Sequence, residues 1–151
     1  MKRTKNPAKE AEYRKRAADL VAQMTLHEKV SQMLSWAPAI ERLGIPAYNW
    51  WSEGIHGVGR AGTATVFPQA IGMAAAFDDD TMEQVGNAIG VEARGKYNMC
   101  RAHGDRDIFK GLTVWAPNIN IFRDPRWGRG HETYGEDPFL TSRLGVRFVE
   151  G

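Results

Sequence analysis

Residues 111–129 read GLTVWAPNINIFRDPRWGR, an apolar run that passes directly into an arginine-rich loop. The run starts after a glycine and is rich in β-branched and aromatic residues, so it predicts a strand over residues 111–122. Upstream of it, residues 80–101 carry apolar side chains at steps of three and four, which predicts an amphipathic helix. A helix followed by a strand and a polar loop is the repeating pattern of βα architectures.

The rest of the chain extends this pattern in both directions. Residues 7–24 have helical spacing, and Thr25 with Glu28 forms a capping box that predicts the start of a second, short helix. Residues 43–51, LGIPAYNWW, predict a strand, and the glycine-rich residues 57–65 predict a loop.

Residues 66–77, VFPQAIGMAAAF, are compatible with a strand or a buried helical turn, and periodicity does not decide between them. A last helix is predicted to begin with Asp137 as its N-cap and Pro138 at its first position.

Strands that alternate with helices predict a parallel sheet built of βα units, and therefore an α/β fold. A closed (β/α)8 barrel of the TIM type needs about 250 residues. The chain has 151 residues, so we expect a partial barrel, roughly its first half. We expect residues 1–16 to form a basic tail or helical lead-in and residues 17–151 to form the barrel portion.

Composition places the chain among globular proteins, with 42% hydrophobic and 25% charged residues. No apolar run has the length of a membrane span, and the amino terminus lacks the apolar core of a secretory signal, so a cytoplasmic location is expected. The single cysteine, Cys100, excludes an internal disulfide framework and a cysteine-built zinc site.

Charge is distributed unevenly along the chain. The formal net charge is +2, while residues 1–16 hold seven Lys or Arg residues and two Glu residues. Such a tail could contact nucleic acid or anionic lipid. A solvated helical lead-in is the favoured interpretation, so neither a nucleic acid nor a membrane is expected as a partner.

The residues that could carry chemistry follow the predicted strands. Glu53 comes just after residues 43–51, within YNWWSEGIHG, and the RDPRWGR loop follows residues 111–122. In βα architectures the loops at the carboxyl ends of the strands carry the functional groups, so both stretches should project from one face. An exposed loop acid at position 53 and two core tryptophans at positions 50 and 51 remain the alternative interpretation.

The loop after residue 122 combines arginine, tryptophan and acidic residues. Arginine interleaved with aromatic residues is one pattern of nucleic-acid binding, but the neighbouring acids would repel a phosphate backbone. Arg–carboxylate pairing or recognition of a neutral polar ligand such as a sugar is favoured. His56, His103 and His131 lack metal-site spacing, and GVGRAG lacks the Lys-Ser/Thr of a phosphate loop, so no metal and no cofactor are expected.

A family resemblance is carried by the stretches YNWWSEGIHGVGRAGTATVFPQAIGMAAAFD and APNINIFRDPRWGRGHETYGEDPFLTSRLG. The chain resembles the N-terminal barrel of glycoside hydrolase family 3, and within it the β-xylosidase-like and β-glucosidase-like members. The resemblance implies a retaining, exo-acting β-glycosidase that removes terminal non-reducing sugars from an oligosaccharide or glycoside.

The resemblance also implies roles for particular residues. Glu53 and Arg129 match positions that contact the hydroxyls of the terminal sugar, and Trp51 and Trp115 match aromatic residues that line its pocket. The family's Ser-Asp-Trp-like nucleophile motif does not occur in the 151 residues, and its acid/base comes from a following domain. We therefore expect no catalytic residue within the chain and no activity of the chain alone. A non-catalytic sugar-binding module that keeps part of this subsite is the alternative.

Glu53 bears on the choice of sugar. Many glucosidases of the family carry Asp at this position, and the longer side chain of Glu reaches towards the place of a hexose hydroxymethyl group. The resemblance therefore favours a pentose such as xylose. A methylene-sized difference discriminates by about 1–3 kcal/mol, so the preference is expected to be modest.

Overall fold

The computed structural model describes residues 6–151, and the chain forms two compact units, Met1–Tyr48 and Asn49–Gly151. Residues 1–5 of the predicted basic tail lie outside the described part. Helix α1 (Pro7–Gln23) runs through residue 16 without a break. The predicted division of the sequence between residues 16 and 17 stays a prediction.

In the first unit, local signals set the start of α1. The Asn6 side chain accepts hydrogen bonds from two backbone amides of the first turn, and Pro7 occupies a first-turn position where no amide donor is needed. The helix buries none of its side chains, and Arg14 and Lys15 pair with acids one turn away. This confirms the helix predicted over residues 7–24.

Helix α2 (Leu26–Ser31) begins at the predicted capping box. The Thr25 hydroxyl accepts from the Glu28 amide at 3.2 Å, and the Thr25 amide donates to the Glu28 carboxylate at 2.8 Å. Arg42, in the 3-10 helix Glu41–Leu43, donates through Nε to Glu28 at 2.8 Å and also reaches the Gln23 carbonyl. The Arg42 hydrogen bonds, followed by the Thr25 amide, lower the pKa of Glu28 to about 2.

The first unit is expected to lose stability in acid as the Glu28 carboxylate becomes protonated. Its pKa is depressed in the folded chain, so its contribution to stability is present above the ordinary value of about 4.5 and is lost as the pH falls towards about 2. We expect the free energy of unfolding, followed by far-ultraviolet circular dichroism, to decrease across that window. Glu28→Gln and Arg42→Met should flatten this part of the profile. An unchanged slope in both variants would contradict the assignment.

The strands are much shorter than the sequence predicts. Strands β1 (Trp36–Ala37) and β2 (Tyr48–Asn49) form a two-stranded sheet, and Ile40 and Ile45 form an antiparallel bridge. The strand predicted over residues 43–51 is thus reduced to β2.

The prediction of a strand over residues 111–122 is wrong. Within the described chain this segment has one bridge, a parallel one between Val114 and Ser52. A strand needs a continuous row of backbone partners, and Pro117 has no amide to donate. Beyond it, the Asn120 amide turns back to the Asn118 carbonyl at 3.1 Å.

In the second unit, the ambiguous residues 66–77 contain a short helix, α3 (Ala70–Ala74). Helix α4 (Asp79–Ala102) is capped by the Asp78 side chain, which accepts from the Thr81 amide at 3.0 Å. It confirms the helix predicted over residues 80–101. Helix α5 (Pro138–Glu150) begins at its predicted N-cap, Asp137.

The core of the second unit lies largely between α4 and α5. Met82 and Ile89 of α4 and Leu144 and Phe148 of α5 are all buried. The helices approach closely at Gly86, where an added Cβ would lie 2.2 Å from the Phe148 carbonyl oxygen. Glycine is therefore required here by space.

The parallel bridge between Ser52 and Val114 joins the two segments that flank α4. A parallel pair connected through a helix is the arrangement of a βα unit, so the second unit is a helix-rich α/β structure. The half-barrel stays a prediction. No helix within residues 6–151 combines the length and the apolar character that a membrane crossing requires.

Candidate functional site

A cavity of about 800 Å³ opens in the second unit, beside the Ser52–Val114 bridge. Its wall is formed by the segments that follow the two bridged residues, by the glycine-rich loop and by the Arg129 region. Each of the four side chains predicted to bind a sugar lines it: Trp51, Glu53, Trp115 and Arg129. The structure thus brings together residues that lie up to 78 positions apart in the sequence.

Two tryptophans form one aromatic wall. The rings of Trp51 and Trp115 stack with their centroids 4.8 Å apart and their planes 24° apart. The Trp115 amide donates to the Ser52 carbonyl at 2.8 Å, and its indole Nε1 donates to the Trp50 carbonyl at 3.1 Å. Trp51 and Trp115 remain 39% and 52% exposed, so they are not core residues and offer apolar surface to a ligand.

The Glu53 carboxylate is held at both oxygens. The Trp51 indole Nε1 donates to Oε1 at 3.2 Å, and Arg60 donates through Nη1 to Oε2 at 3.3 Å. Behind it, Gly54 is buried, and an added Cβ would lie 2.5 Å from a Val114 methyl group. Glu53 is therefore a directed acceptor on the cavity wall.

Arg129 is paired with a second acid. Its Nε donates to the two carboxylate oxygens of Glu132 at 2.9 and 3.0 Å, and its Nη2 also contacts that carboxylate. The hydrogen bonds from Arg129 lower the pKa of Glu132, and the pair raises the pKa of Arg129, with Glu53 adding a smaller effect. The 3-10 helix Gly130–Glu132 sets the short distance between the partners. The cavity thus presents two Arg–carboxylate pairs, Arg60 with Glu53 and Arg129 with Glu132.

The histidines at positions 56, 103 and 131 do not all lie at the cavity. His56 and His131 line the cavity, while the His103 ring lies within hydrogen-bonding distance of the Met99 carbonyl at the end of α4. Across residues 6–151, no three His, Cys, Asp or Glu side chains are grouped so that they could hold a metal ion.

Comparison with known proteins adds the family. Residues 15–151 match the family described as the glycosyl hydrolase family 3 N terminal domain. The chain belongs to glycosyl hydrolase family 3.

Several family 3 relatives are similar to the chain over nearly its whole length. A probable β-D-xylosidase 7 of Arabidopsis thaliana is 52% identical over an alignment of 147 residues that covers 91% of this chain and 18% of that protein. A xylan 1,4-β-xylosidase of Xylanibacter ruminicola is 49% identical over 91% of this chain and 16% of that protein. The chain therefore spans less than a fifth of the length of these relatives.

Solved family 3 structures show the same likeness. An exo-β-xylosidase in complex with a xylobiose aziridine activity-based probe superposes with a TM-score of 0.75 and is 37% identical, over 89% of this chain and 17% of that one. A β-glucosidase of Bifidobacterium adolescentis gives a TM-score of 0.64 at 30% identity, over 87% of this chain and 18% of that one.

In this family 3 chain, two residues that form ion pairs with the predicted site residues were not predicted from the sequence: Arg60, the partner of Glu53, and Glu132, the partner of Arg129. Arg60 lies within GVGRAG, and nothing in the sequence indicates that it reaches Glu53. Glu132 is one of the neighbouring acids that argue against a phosphate ligand. Its place three residues after Arg129 is a spacing that could have indicated the pair.

Proposed function

We propose that the chain supplies the first half of a (β/α)8 barrel to a retaining, exo-acting β-glycosidase, with residues 17–151 forming the barrel portion and residues 1–16 a lead-in. The enzyme would remove β-linked xylose or glucose from the non-reducing end of an oligosaccharide or glycoside. One observation carries the proposal: the four side chains that the family resemblance assigns to sugar binding line a single cavity. Membership of a glycosyl hydrolase family supports it.

The cavity has the chemistry that a sugar requires. A pyranose ring presents apolar C–H faces that pack against flat aromatic surfaces, such as those of Trp51 and Trp115. Its hydroxyls donate to carboxylates and accept from guanidinium groups, and such charge-assisted hydrogen bonds are stronger than neutral ones. Glu53 and Arg129 would supply one group of each kind.

A preference for xylosides is supported from two sides. The longer side chain of Glu53, compared with the Asp of many family glucosidases, reaches towards the place of a hexose hydroxymethyl group. Two relatives named as β-xylosidases are 52% and 49% identical to this chain, and among the solved structures the exo-β-xylosidase is 37% identical while the Bifidobacterium β-glucosidase is 30% identical.

Hydrolysis needs groups that these 151 residues do not provide. Retaining glycosidases use two carboxyl groups about 5–5.5 Å apart, one as the nucleophile and one as the acid/base. The family's nucleophile motif is absent from the sequence. The cavity carboxylates Glu53 and Glu132 are each paired with an arginine, so their oxygens are engaged in ion pairs and are not free to attack a sugar carbon.

The 151-residue chain is therefore expected to show no turnover of nitrophenyl β-xyloside or β-glucoside. Nitrophenol release should equal that of the buffer, while a complete family 3 β-xylosidase in the same assay provides the positive control. Release above the buffer rate that disappears in Glu53→Gln would contradict the proposed division of labour.

A non-catalytic sugar-binding module is the second candidate, favoured by the exposed faces of the stacked tryptophans. Because part of the subsite would be missing, we expect millimolar affinity, which corresponds to about −4 kcal/mol. Titration with xylose and glucose, followed by tryptophan fluorescence, tests for binding. An unchanged spectrum at the highest sugar concentrations would count against the module.

A further inference from the structure

Arg60 occupies an unusual place in the cavity wall. Its guanidinium carbon lies 4.5 Å from the centroid of the Phe109 ring, and its Nη1 donates to the Glu53 carboxylate at 3.3 Å. A guanidinium group that stacks on an aromatic face keeps its plane and its N–H directions fixed. The stacking on Phe109 therefore restricts the direction in which Arg60 can donate.

The loop that carries Arg60 is anchored to α4. Glu92 accepts from the Thr65 amide at 3.1 Å and from its hydroxyl at 2.6 Å. One turn later, the Lys96 Nζ donates to the Ala61 carbonyl at 3.2 Å and to the Thr63 carbonyl at 2.7 Å. Two charged side chains of α4 thus bind four polar groups of one loop, three of the backbone and one hydroxyl.

The base of the same loop is closed by the backbone. The Phe67 amide donates to the His56 carbonyl at 2.8 Å. At Gly57 the φ angle is +120°, and an added Cβ would lie 2.3 Å from the Thr65 carbonyl oxygen. Glycine is needed there for both reasons, and the two sides of the loop are in contact.

The aromatic partner is also fixed. Phe109 has a φ of 67°, a left-handed backbone conformation that residues other than glycine rarely adopt. Residues in such strained conformations cluster at functional sites. The Phe109 amide donates to the Trp51 carbonyl at 2.9 Å, which ties its backbone to the segment that bears Glu53. Arg60 is thus held between two elements that are both anchored to their surroundings.

We propose that Arg60 is a positioning residue that sets the direction of the Glu53 carboxylate and, through it, the geometry of the tryptophan wall. Arg60 holds one oxygen of Glu53, and the other accepts from the indole of Trp51, whose ring stacks on Trp115. Without Arg60, the carboxylate is free to rotate and the Trp51 indole loses a fixed acceptor. The effect on sugar recognition rests on the proposed function, whereas the effect on the wall does not.

The wall has a spectroscopic signature of its own. Two stacked indoles couple their electronic transitions and give a paired positive and negative band in circular dichroism. Trp51→Phe should abolish this couplet, which identifies its source. Arg60→Ala should reduce its amplitude, and Arg60→Lys should restore it in part, because the ammonium keeps the charge but not the planar stacked fork.

Phe109 supplies a matched pair that leaves Arg60 and Glu53 in place. Phe109→Leu removes the aromatic face and should reduce the couplet in the same direction as Arg60→Ala. Phe109→Tyr keeps the face and should leave the couplet as in the wild type. Melting curves check that each variant remains folded; Arg60→Ala should do so because the Arg60–Glu53 pair is exposed.

Titration of the same 151-residue variants with xylose adds the functional measurement. We expect Arg60→Ala to raise the dissociation constant about five- to tenfold, because one directed charge-assisted acceptor is lost. If the wild type binds no xylose while the couplet still falls in Arg60→Ala and Phe109→Leu, the sugar-binding proposal fails and the positioning role stands. A wild-type couplet in both variants would overturn the positioning role, whatever the xylose titration shows.

Discussion

Gly86→Ala is expected to destabilise the second unit by about 2–3 kcal/mol and to lower its melting temperature by about 10–20 °C. The new methyl group would lie 2.2 Å from the Phe148 carbonyl oxygen and 3.1 Å from its carbonyl carbon. These are backbone atoms inside α5, so they cannot move aside as a flexible side chain would. The two helices must separate, and Met82, Leu144 and Phe148 lose their packing. Calorimetry of the wild type and of Gly86→Ala measures the change in melting temperature.

Gly90→Ala is the matched control on the same helix. Among the described atoms, none lies within 4 Å of a Cβ placed there. Alanine favours the helical conformation over glycine by about 1 kcal/mol, so this variant should melt a few degrees above the wild type. Opposite shifts from the same substitution, one turn apart, would show that helix contact outweighs helix propensity at Gly86. Equal shifts would mean that α4 and α5 are not packed as described.

Helices α1, α2, α4 and α5 could be predicted because their signals are local, whereas periodicity does not decide for residues 66–77, which contain α3. Residues 80–101 carry an apolar stripe, and the structure has α4 at Asp79–Ala102. Thr25 with Glu28 and Asp137 with Pro138 mark helix starts through contacts within three residues. Such contacts depend little on the rest of the chain, so periodicity and capping chemistry were sufficient.

The strands could not be predicted in the same way. Residues 111–122 have strand composition, but a strand forms through pairing with distant segments. In the described chain that pairing is limited to the bridge between Val114 and Ser52. Amino-acid composition gives a segment its strand propensity, but the segment becomes a strand only where backbone partners are available.

The site shows the same limit for side chains. Glu53, Arg129, Trp51 and Trp115 were reached through motifs and family resemblance, and the structure gathers them at one cavity. Their role in sugar binding stays a proposal. The contact between Arg60 and Phe109 joins residues 49 positions apart, and no sequence pattern encodes such a pair.

The choice of sugar can be measured in an enzyme that joins this segment to the family's nucleophile and acid/base. Glu53→Asp withdraws the carboxylate by one methylene and opens space near the C5 substituent of the sugar. The ratio of kcat/KM for β-xyloside over β-glucoside should fall about tenfold, which corresponds to about 1.4 kcal/mol. The shorter side chain also weakens the contacts with Trp51 and Arg60, which now lie at 3.2 and 3.3 Å. That loss lowers kcat/KM for both sugars alike, so the ratio of the two kcat/KM values isolates the change in sugar preference.

Arg129→Ala is the counterpart, because Arg129 is assigned to hydroxyls that xylose and glucose share. Loss of a charged hydrogen bond costs about 1.5–3 kcal/mol, so kcat/KM should fall about ten- to a hundredfold for both substrates, with their ratio unchanged. The substitution also leaves Glu132, whose side chain is 17% exposed, without its cation. Arg129→Lys keeps a positive charge beside Glu132 and separates that effect from the lost sugar contact. A ratio that shifts in Arg129→Ala but not in Glu53→Asp would mean that the two roles are exchanged, and the pentose argument would fail.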